Sequence, residues 1–465
     1  MNIAQKIVKP ALLAGFQDIL PARMIPFQEM IAKIKVVFES FGFVPLETPG
    51  MERLEVLTGG SDDFNKSIFR TRVVRGVEDR GAADLLEEDA AMRFDLTVPL
   101  ARVVASHPEI QRPFKRYQYG KVWRGEKPQK NRYREFFQFD ADIVGSSSIL
   151  ADAEIVHLIY STLNMFELPT FSIKINDRRV LNGLAEVLGC PDKCKELDRA
   201  IDKVDSLGIE GVITELTKKS DDPFASPLVL DDVQSGILLK FLHIKADSSK
   251  ELLRKVADFF GEKSPEAAKG IEALHQICIK LWSLGISEKF WKIDLSVARG
   301  LDYYTGPVFE TVVDDMPDVG SIFSGGRFDG LVNRFDAAIN MPGVGASIGV
   351  DRLFTVLTKL GKIKEQATVS KVLVTIFDQS LSHISYMCAH SVRKSGVPTE
   401  VYLGNEKSLK GQLGYALKQG IRFVIIIGPD EIKSKKVMLK DLDTKQQELL
   451  TESEATARIT AVLES

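Results

Sequence analysis

The stretch FKRYQYGKVWRGEKPQKNRYREFFQFDADIVG, residues 114–145, decides the fold that we expect for this chain. Residues 114–124 and 133–145 are rich in aromatic and β-branched side chains, whereas residues 125–131 between them contain Gly, Pro and Asn but no bulky apolar residue. This pattern predicts two long antiparallel strands joined by a loop. We therefore expect an antiparallel sheet, rather than a doubly wound parallel one, in the largest part of the molecule.

The predicted hairpin is also strongly basic. From Lys115 to Arg134 there are eight Lys or Arg residues and a single acid, Glu126, with four aromatic residues interleaved. Such a composition is typical of surfaces that bind phosphate groups. A charged face turned to solvent has the same composition, so charge alone leaves both interpretations open.

On either side of the hairpin, the spacing of apolar residues predicts helices and further strands. Residues 27–41 place apolar side chains at steps of three and four, which predicts an amphipathic helix that ends at Gly42. The helical period returns over residues 178–284 and predicts a helical insertion. Further strands are expected at residues 68–74, 92–99, 293–298 and 307–313.

The C-terminal part has a different pattern. Residues 361–370 show no long apolar run and are interpreted as a linker. Residues 371–377 and 423–427 are continuous apolar strands separated by helical segments, which is typical of a small α/β domain with a mostly parallel sheet. The expected fold class is therefore α+β, with an α/β domain at the C-terminus.

Length and composition exclude several classes of protein. The 465 residues carry a net charge of −3, with 44% hydrophobic and 27% charged residues, which excludes a disordered, fibrous or coiled-coil chain. No apolar run approaches the ~20 residues of a membrane-spanning helix, and the N-terminus lacks a secretory pattern. We therefore expect a cytoplasmic protein with no membrane partner. Neither a P-loop nor a Rossmann fingerprint is present, so a nucleotide would have to be held in another way.

Cys190 and Cys194 form a C-x3-C pair that could supply two zinc ligands. A structural zinc needs four ligands in recognisable pairs, and the next Cys or His residues after this pair, His243 and His275, lie far along the sequence. Two thiols in a helical segment are the simpler interpretation.

Four clusters carry residues suited to phosphate chemistry. The first is WRGE at residues 123–126, because a guanidinium group can hold two phosphate oxygens at once. The second, third and fourth clusters are VARGLDYYTGPVFE at 297–310, SGGRFD at 324–329 and PGVGASIGVDR at 342–352. The paired glycines of SGGRFD let a backbone approach a ligand closely. Arginine beside two tyrosines, as in the second cluster, is equally compatible with a packed structural corner.

Together these motifs make the chain similar to the histidyl-tRNA synthetase family over essentially its whole length. The helix from about Pro21 to Gly42 with the strand ending at Pro49 resembles motif 1 of the class II aminoacyl-tRNA synthetases. WRGE with its loop and YREFFQFD at 133–140 resembles motif 2, and GVGASIGVDRL at 343–353 resembles motif 3. More specific are RGLDYYTG at 299–306 and SGGRFDGL at 324–331, which resemble the two histidine signatures.

The resemblance implies a function and a domain plan. It implies ATP-dependent activation of L-histidine to histidyl-adenylate and transfer of histidine to the 3′ end of tRNA(His), by a homodimer that uses ATP as substrate and Mg²⁺ on the leaving phosphates. The ligands of Mg²⁺ are not named by the resemblance. The implied domains are residues 1–177 and 291–362 as two parts of a catalytic core on an antiparallel sheet, residues 178–290 as a helical insertion, and residues 371–465 as an anticodon-binding domain.

Carried over position by position, the resemblance also implies the site. Asp95 and Gln138 suit the ammonium group of histidine, and Arg124 suits its carboxylate. Asp142 and Tyr304 can pair with the two ring nitrogens, of which one donates and one accepts when the ring is neutral. The implied histidine-binding residues are Asp95, Leu96, Thr97, Arg124, Gln138, Asp142, Arg299, Tyr303 and Tyr304.

ATP would be held mainly by arginines, and no side chain would need to act as a covalent nucleophile. Arg124 and Arg299 would be catalytic, since they would flank the α-phosphate. The implied ATP-binding residues are Arg124, Glu126, Arg132 and Arg352, the last on the γ-phosphate side. The chain departs from many bacterial members, which have Glu-Gly-Thr at residues 95–97 and Glu at Asp142; both departures keep the charge and shorten the side chain by one methylene.

One alternative from another functional class is a regulatory, histidine-sensing subunit of histidine biosynthesis on the same fold. Such proteins resemble the catalytic core but lack the anticodon-binding domain and lose motif residues. Here residues 371–465 supply that domain, and Arg124, Arg299 and Arg352 are all present. A module regulating a kinase would need a kinase catalytic sequence, and none is present.

Overall fold

The structure, a computed structural model, describes residues 8–59, 68–71, 90–127, 132–218, 228–298, 303–337 and 340–464. The chain forms two compact units. The larger contains residues up to Gln17 together with Lys33–Lys362, and the second contains Asp18–Ala32 together with the residues from Ile363 onwards. The predicted linker, residues 361–370, is described throughout and contains no helix or strand.

The helices and strands are numbered here in chain order within the described residues. The α-helices are α1 Pro21–Ser40, α2 Leu54–Thr58, α3 Thr97–Ser106, α4 Ile149–Met165, α5 Arg178–Val187, α6 Cys194–Ile201, α7 Val204–Thr217, α8 Asp232–Leu242, α9 Ser249–Phe260, α10 Pro265–Ser283, α11 Val350–Lys359, α12 Ser382–Lys394, α13 Leu409–Gln419, α14 Pro429–Ser434 and α15 Glu452–Glu464. The strands are β1 Val44–Pro45, β2 Met51–Arg53, β3 Ala90–Met92, β4 Phe114–Trp123, β5 Glu135–Val144, β6 Ser172–Asp177, β7 Trp291–Ile293, β8 Pro307–Val312, β9 Phe323–Arg327, β10 Gly343–Gly349, β11 Val372–Val374, β12 Thr399–Val401, β13 Phe423–Ile426, β14 Val437–Asp441 and β15 Gln447–Leu450.

The larger unit is built on an eight-stranded sheet with the order β1-β4-β5-β10-β9-β8-β6-β7. Its six central strands run antiparallel to one another, and the short edge strands β1 and β7 pair in parallel with β4 and β6. The predicted hairpin is confirmed as β4 and β5, with Trp123 opposite Glu135 beside the loop and Phe114 opposite Val144 at the far end. The antiparallel core expected from the sequence is therefore present.

The two faces of β5 differ in chemistry, and this difference positions the site. Because side chains alternate along a strand, Phe139 and Ala141 lie on one face. The Phe139 ring packs edge-on against Phe38 of α1, with ring centroids 4.8 Å apart. Gln138, Asp140 and Asp142 lie on the other face and are buried all the same. One face thus forms the apolar core, and the other carries a row of buried polar groups.

Predictions for the segments before and after this sheet are only partly correct. Residues 92–99 are not one strand, because β3 ends at Met92 and α3 begins at Thr97. The Asp95 carboxylate accepts a hydrogen bond from the Val98 N–H at 3.1 Å, which satisfies a donor in the first helical turn. The strand predicted at residues 293–298 ends at Ile293, where the Asp294 carboxylate accepts from the Ser296 N–H and forms a turn.

Of the strand predicted at residues 68–74, only residues 68–71 are described. In that part Arg70 forms an isolated antiparallel bridge with Ala91. The helix predicted at residues 27–41 and the strand at 307–313 correspond to α1 and β8.

The second unit contains a five-stranded sheet with the order β12-β11-β13-β14-β15. Its central strand β11 pairs in parallel with β12 and β13, whereas β14 is antiparallel to both β13 and β15. The prediction of a mostly parallel sheet is therefore wrong for its C-terminal half. Val437 and Leu439 of β14 are buried, whereas Met438 and Lys440 at the alternate positions are only half-buried, as in antiparallel strands with one solvated face.

Residues 178–290, predicted as a helical insertion, contain α5 to α10. The helix α10 buries Leu274, Ile277 and Leu281, and its N-cap Ser264 accepts from the Ala267 N–H. The bounds of this insertion and of the other predicted domains stay predictions. Among the described residues, no helix combines the length and the apolar character that crossing a membrane requires.

Candidate active site

A pocket opens on the polar face of the sheet, beside β5 and β10. Its walls include Arg124 at the end of β4, Gln138 on β5 and Arg352 on α11. Glu126 and Arg132, from the two sides of the hairpin loop, also line it. The pocket and its mouth contain about 710 Å³ of empty space. The four residues predicted to bind ATP therefore lie around one cavity.

The arginines of the pocket are held by neighbouring groups. Arg124 Nε donates to the Phe94 carbonyl at 3.2 Å, and its guanidinium lies 5.1 Å from the centre of the Phe136 ring. Arg352 Nη1 donates to the Ser321 carbonyl at 2.8 Å. Arg132 forms an ion pair with Glu126. These contacts place three guanidinium groups where they can meet phosphate oxygens.

The floor of the pocket leads to the row Gln138, Asp140 and Asp142 on β5. The Gln138 amide donates to the Ser347 hydroxyl at 2.6 Å, and Ser347 lies directly opposite Asp140 on the neighbouring strand β10. Asp140 and Asp142 are each only 2% exposed. Gln138 Oε1 and Asp140 Oδ1 are buried without a hydrogen-bond partner among the residues that the structure describes. Of these two acceptors, Gln138 Oε1 belongs to a residue that lines the cavity, whereas Asp140 lies behind the lining residues.

Asp142 is paired with a buried arginine. Arg116 lies directly opposite it on β4, and Arg116 Nη2 is 2.8 Å from Asp142 Oδ2, at an angle outside hydrogen-bond geometry. The same Nη2 donates to the Leu96 carbonyl at 2.9 Å. Burial raises the pKa of Asp142 to about 6, although Arg116 acts in the opposite direction. Burial, and next the charge of Asp142, raise the pKa of Asp140 to about 7.

A third buried carboxylate, Asp95, lies at the start of α3. It accepts from the Tyr303 hydroxyl at 3.0 Å, and Tyr303 also bonds to the Thr97 side chain. Burial raises the pKa of Asp95, while the Val98 N–H, Tyr303 and Arg124 oppose the shift in that order. The residues predicted at 95–97 thus join the same cluster, Leu96 through its carbonyl rather than its side chain.

Tyr304 belongs to the same cluster as Asp95 and Tyr303 and lies on its side toward β9. Its ring lies edge-on to that of Tyr303, with centroids 5.1 Å apart. Burial, followed by the charges of Asp142, Asp140 and Asp95, raises the pKa of Tyr304, so its hydroxyl remains a hydrogen-bond donor. Of the predicted site residues, Arg299 lies outside the described residues, and all others are accounted for in the pocket or in this cluster.

The glycines at 325 and 326 have a different role from the one expected. A Cβ on Gly325 would lie 2.1 Å from the Gly345 carbonyl oxygen, and one on Gly326 would lie 3.0 Å from the Tyr304 ring. A Cβ on Gly345 would lie 2.1 Å from Asp142 Oδ1. These glycines therefore let β9 and β10 approach each other and let protein side chains, rather than a ligand, pack on the strands.

Much of the basic character of the hairpin is not directed at the pocket. Lys115 pairs with Glu154, Lys121 pairs with Glu135 at 2.7 Å, and Arg116 is buried against Asp142. Within the motif SGGRFD, Arg327 forms a buried double contact with Asp152, with its Nε 3.0 Å from Oδ1. Arg327 is therefore structural. The phosphate-binding interpretation applies to Arg124 and Arg132, not to the whole hairpin.

Cys190 and Cys194 are both free and half-buried. Cys194 begins α6, whereas Cys190 lies between α5 and α6 and outside both helices. Among the described residues, no group of three or more His, Cys, Asp or Glu could hold a metal ion.

Three residues of the site are absent from the sequence prediction: Arg116, Asp140 and Ser347. The alternation in QFDAD places residue 140 on the same face as 138 and 142, so Asp140 could have been found from the strand period. Arg116 was counted with the exposed basic residues, and only the strand register reveals its partner. Nothing in the sequence singles out Ser347.

Comparison with known proteins gives consistent matches along the chain. The family model described as histidyl-tRNA synthetase matches residues 15–353. The model described as anticodon binding domain matches residues 371–461.

Relatives of similar length also match. The histidine–tRNA ligase of Helicobacter pylori strain HPAG1 is 41% identical over 445 residues, which are 95% of this chain and 96% of that protein. That of Wolinella succinogenes is 39% identical over 458 residues, 98% of this chain and 99% of that protein. The crystal structure of histidyl-tRNA synthetase from Nostoc sp. PCC 7120 superposes with a TM-score of 0.82 at 32% identity, and the match covers 98% of this chain and 100% of that one.

Proposed function

Because this chain belongs to the histidyl-tRNA synthetase family of class II ligases, its function is the ATP-dependent attachment of histidine to tRNA, and we propose that histidine is activated in the pocket on the polar face of the large sheet. The observation that carries this assignment is the arrangement of charges. Three arginines surround the cavity, and a row of buried acids lies beneath its floor. The phosphates of ATP require the positive environment, and the ammonium group of histidine requires the negative one, so the two substrates can bind side by side.

In this proposal the histidine carboxylate attacks the α-phosphate of ATP, pyrophosphate leaves, and the adenylate then acylates the terminal ribose of tRNA(His). Arg124 lies between the two environments and contacts both the histidine carboxylate and the α-phosphate. Its guanidinium stabilises the charge that grows on the phosphoryl oxygens, so its contribution is electrostatic. Arg299 is assigned the other side of the α-phosphate on the family motif alone.

The remaining nucleotide contacts are assigned to groups that line the cavity. Glu126 and Arg132 are suited to the purine and its phosphates, and Arg352 is suited to the γ-phosphate. Asp95 and Gln138 are assigned to the ammonium group of histidine. Gln138 Oε1 supports this role because it is buried and has no partner in the described part of the chain.

The imidazole ring is assigned to the deepest part of the cluster, between Asp142 and Tyr304. Tyr303 then has a positioning role, since its hydroxyl donates to the Asp95 carboxylate, and Thr97 acts on Tyr303. Leu96 positions Arg116 through its carbonyl.

Mg²⁺ is proposed as the metal that accompanies ATP. It is usually held by one or two carboxylates together with phosphate oxygens, rather than by an all-protein cage. Two carboxylates, Glu126 and Asp351, are among the described residues that line the cavity, so this donor set fits. When bound, Mg²⁺ would neutralise charge on the leaving pyrophosphate.

We further propose a homodimer located in the cytoplasm, with residues 371–465 as the anticodon-binding domain. The match of residues 371–461 to an anticodon-binding model supports the last point and disfavours a regulatory subunit that lacks this domain. The catalytic core would comprise residues 1–177 and 291–362, and residues 178–290 would form the helical insertion.

The test is pyrophosphate exchange into ATP with each of the twenty amino acids in turn, followed by charging of tRNA(His). We expect exchange with histidine and with no other amino acid. Histidine binding without exchange would instead indicate a regulatory protein, and exchange with another amino acid would contradict the pocket assignment.

A further inference from the structure

Arg178, the first residue of α5, binds both ends of a segment that carries predicted site residues. Its backbone N–H donates to the Gly306 carbonyl at 2.9 Å, and its Nη1 donates to the Ala298 carbonyl at 3.2 Å. The residues from Ala298 to Gly306 form the tyrosine segment, which includes Tyr303 and Tyr304. Arg178 is not among the described residues that line the cavity, and the proposed mechanism gives it no task.

An ion pair with α6 orients the Arg178 side chain. Its guanidinium pairs with Asp198, and both side chains are only 11% exposed. Because water screens a buried ion pair less than an exposed one, this contact fixes the direction in which the guanidinium points. Ala298 is itself only 4% exposed, so water cannot readily replace Arg178 as the donor to its carbonyl.

The strand that precedes Arg178 supports the chain just before the tyrosine segment. Asn176, near the end of β6, is fully buried. Its Nδ2 donates to the Leu295 carbonyl at 3.2 Å and to the Val297 carbonyl at 3.0 Å. Asn176 therefore fixes the chain up to Val297, and Arg178 extends that support to both ends of the segment.

The tyrosine segment carries side chains whose positions matter for binding and catalysis. The Tyr303 hydroxyl donates to the Asp95 carboxylate at 3.0 Å, and Tyr304 is assigned to the histidine ring. Arg299, assigned to the α-phosphate on the family motif alone, follows Ala298 in the sequence and lies outside the described residues. A displacement of about 1 Å in such groups can lower the rate on the order of 100-fold, so anchors at the ends of the segment can affect the reaction without touching a substrate.

We propose that Arg178 is a positioning residue that fixes both ends of the tyrosine segment, and that Asp198 orients its guanidinium for this task. Neither residue is assigned a contact with a substrate, so both act through the segment. This inference rests on the proposed function and adds two residues outside the cavity that control it. The four residues assigned to ATP binding lie elsewhere in the chain, so the effect falls on histidine and turnover rather than on the affinity for ATP.

The experiment compares two neighbouring arginines in the full-length enzyme. The variant is Arg178→Gln, which removes the donor to Ala298 and the ion pair. The matched control is Arg179→Gln, the same chemical change in the same helical turn. The Arg179 guanidinium binds Asp177 instead of the segment, with Nε 2.8 Å from Oδ1 and Nη2 2.6 Å from Oδ2. Pyrophosphate exchange gives kcat and KM for histidine and for ATP, with rates divided by the concentration of active sites.

We expect Arg178→Gln to lower kcat/KM for histidine by at least about tenfold and to change KM for ATP by less than about threefold. Arg179→Gln should leave kcat/KM for histidine within about threefold, although it also removes an ion pair and should lower the melting temperature. Equal losses in the two variants would overturn the proposal, because they would assign Arg178 to folding alone.

A double-mutant cycle with Tyr304→Phe tests whether Arg178 acts through the segment. If it does, the fold-loss in kcat/KM caused by Tyr304→Phe should be at least about threefold smaller in the Arg178→Gln background than in the unmodified one. In the Arg179→Gln background it should be unchanged. Equal losses in all three backgrounds would overturn the proposal, since a residue that only supports folding does not alter the contribution of the Tyr304 hydroxyl.

Asp198→Asn provides a milder variant that keeps the shape and removes the charge orienting the guanidinium. It replaces Arg178→Gln if that variant does not fold. We expect it to lower kcat/KM for histidine by at least about threefold with KM for ATP unchanged. An unchanged kcat/KM would overturn the role of the ion pair.

Calorimetry of histidine binding separates failure of this inference from failure of the proposed function. If the unmodified protein binds histidine but supports no exchange, the proposed function fails, and the Kd values of the variants decide the inference. A Kd raised at least about tenfold by Arg178→Gln and less than about threefold by Arg179→Gln would support it. Equal Kd values for the two variants would overturn it.

Discussion

Asp142 combines two roles at the scale of a single residue, one toward the ligand and one toward Arg116. The carboxylate is assigned to the histidine ring, and it also balances a guanidinium that is fully buried. Arg116 Nε and Nη1 have no hydrogen-bond partner among the described residues, and the contact with Asp142 is made through Nη2. Removing the charge of Asp142 therefore affects both binding and folding.

We expect Asp142→Asn to lower kcat/KM for histidine by at least about tenfold, because a charge-assisted bond becomes a neutral one. The melting temperature should also fall, because the charge of Arg116 would then be buried without its partner. The KM for ATP should change little. Exchange kinetics and thermal denaturation of the same preparation test this, and normal histidine activation would contradict the assignment of Asp142 to the ring.

Ionisation of Asp140 should make the stability of the protein depend on pH. Its pKa is raised from 3.8 to about 7 in the folded protein, by burial and then by the charge of Asp142. A carboxyl whose pKa is raised on folding costs stability when ionised, so stability is lost as pH increases from about 4 through about 7. We expect Asp140→Asn to melt at least about 2 °C above the unmodified protein at pH 8.

This difference should shrink as the pH is lowered and be nearly absent near pH 4, close to the unfolded-state pKa of 3.8. Melting curves from pH 4 to pH 8 on both proteins provide the measurement. A constant difference over that range would show that the effect of the substitution comes from packing rather than from ionisation.

At the scale of elements, the close approach of β9 and β10 holds the site together. Ala346 pairs with Gly325, and Gly345 pairs with both Gly326 and Asp142. Tyr304 precedes β8 and Asp142 lies on β5, so the two side chains can approach each other only because the intervening strands β9 and β10 have glycines at these positions. Arg327, at the end of β9, ties this strand to α4 through the buried pair with Asp152.

We expect Gly325→Ala to destabilise the protein by about 1–3 kcal/mol or more, because the new Cβ would lie 2.1 Å from a backbone oxygen that cannot move independently. Gly330→Ala, six residues from Ser324 in the same motif, is the matched control, since its Cβ would have nothing within 4 Å. Urea denaturation of both variants tests the prediction. Equal stability of the two would show that β9 and β10 can separate without cost.

At the scale of the whole molecule, we propose that the two units bind different substrates. The sheet of the larger unit carries the arginines and buried acids of the proposed activation site. The second unit matches an anticodon-binding model and exposes lysines that can meet RNA phosphates. These are Lys407, Lys410, Lys418, Lys433, Lys435 and Lys436.

We expect the full-length double variant Lys407→Glu and Lys410→Glu to leave histidine-dependent pyrophosphate exchange unchanged and to raise KM for tRNA. Each lysine that neutralises a phosphate releases a counterion bound to the RNA. Loss of two such contacts should therefore lower the slope of log KM against log salt concentration by about 1.5 to 2. Charging assays from 50 to 200 mM salt measure the slope. An unchanged slope would show that RNA does not contact these two lysines.

The sequence by itself determined the antiparallel architecture of the larger unit. The alternation and turn composition around residues 114–145 predicted the hairpin, because the strand period and the loop residues are local properties of the chain. The family resemblance, rather than any local pattern, implied Asp95, Arg124, Asp142 and Arg352 as site residues; Arg124 and Arg352 line the cavity, and Asp95 and Asp142 are buried, while their roles stay predictions.

Only the tertiary structure decided which charges face a ligand and which face the protein. Arg116 and Arg124 belong to the same basic run, yet Arg116 is buried against Asp142 and Arg124 lines the cavity. Residues 95–97 likewise begin a helix rather than continue a strand, because the Asp95 carboxylate accepts from the Val98 N–H. Pairing between distant strands depends on register, and register is set by packing of the whole sheet rather than by any single segment.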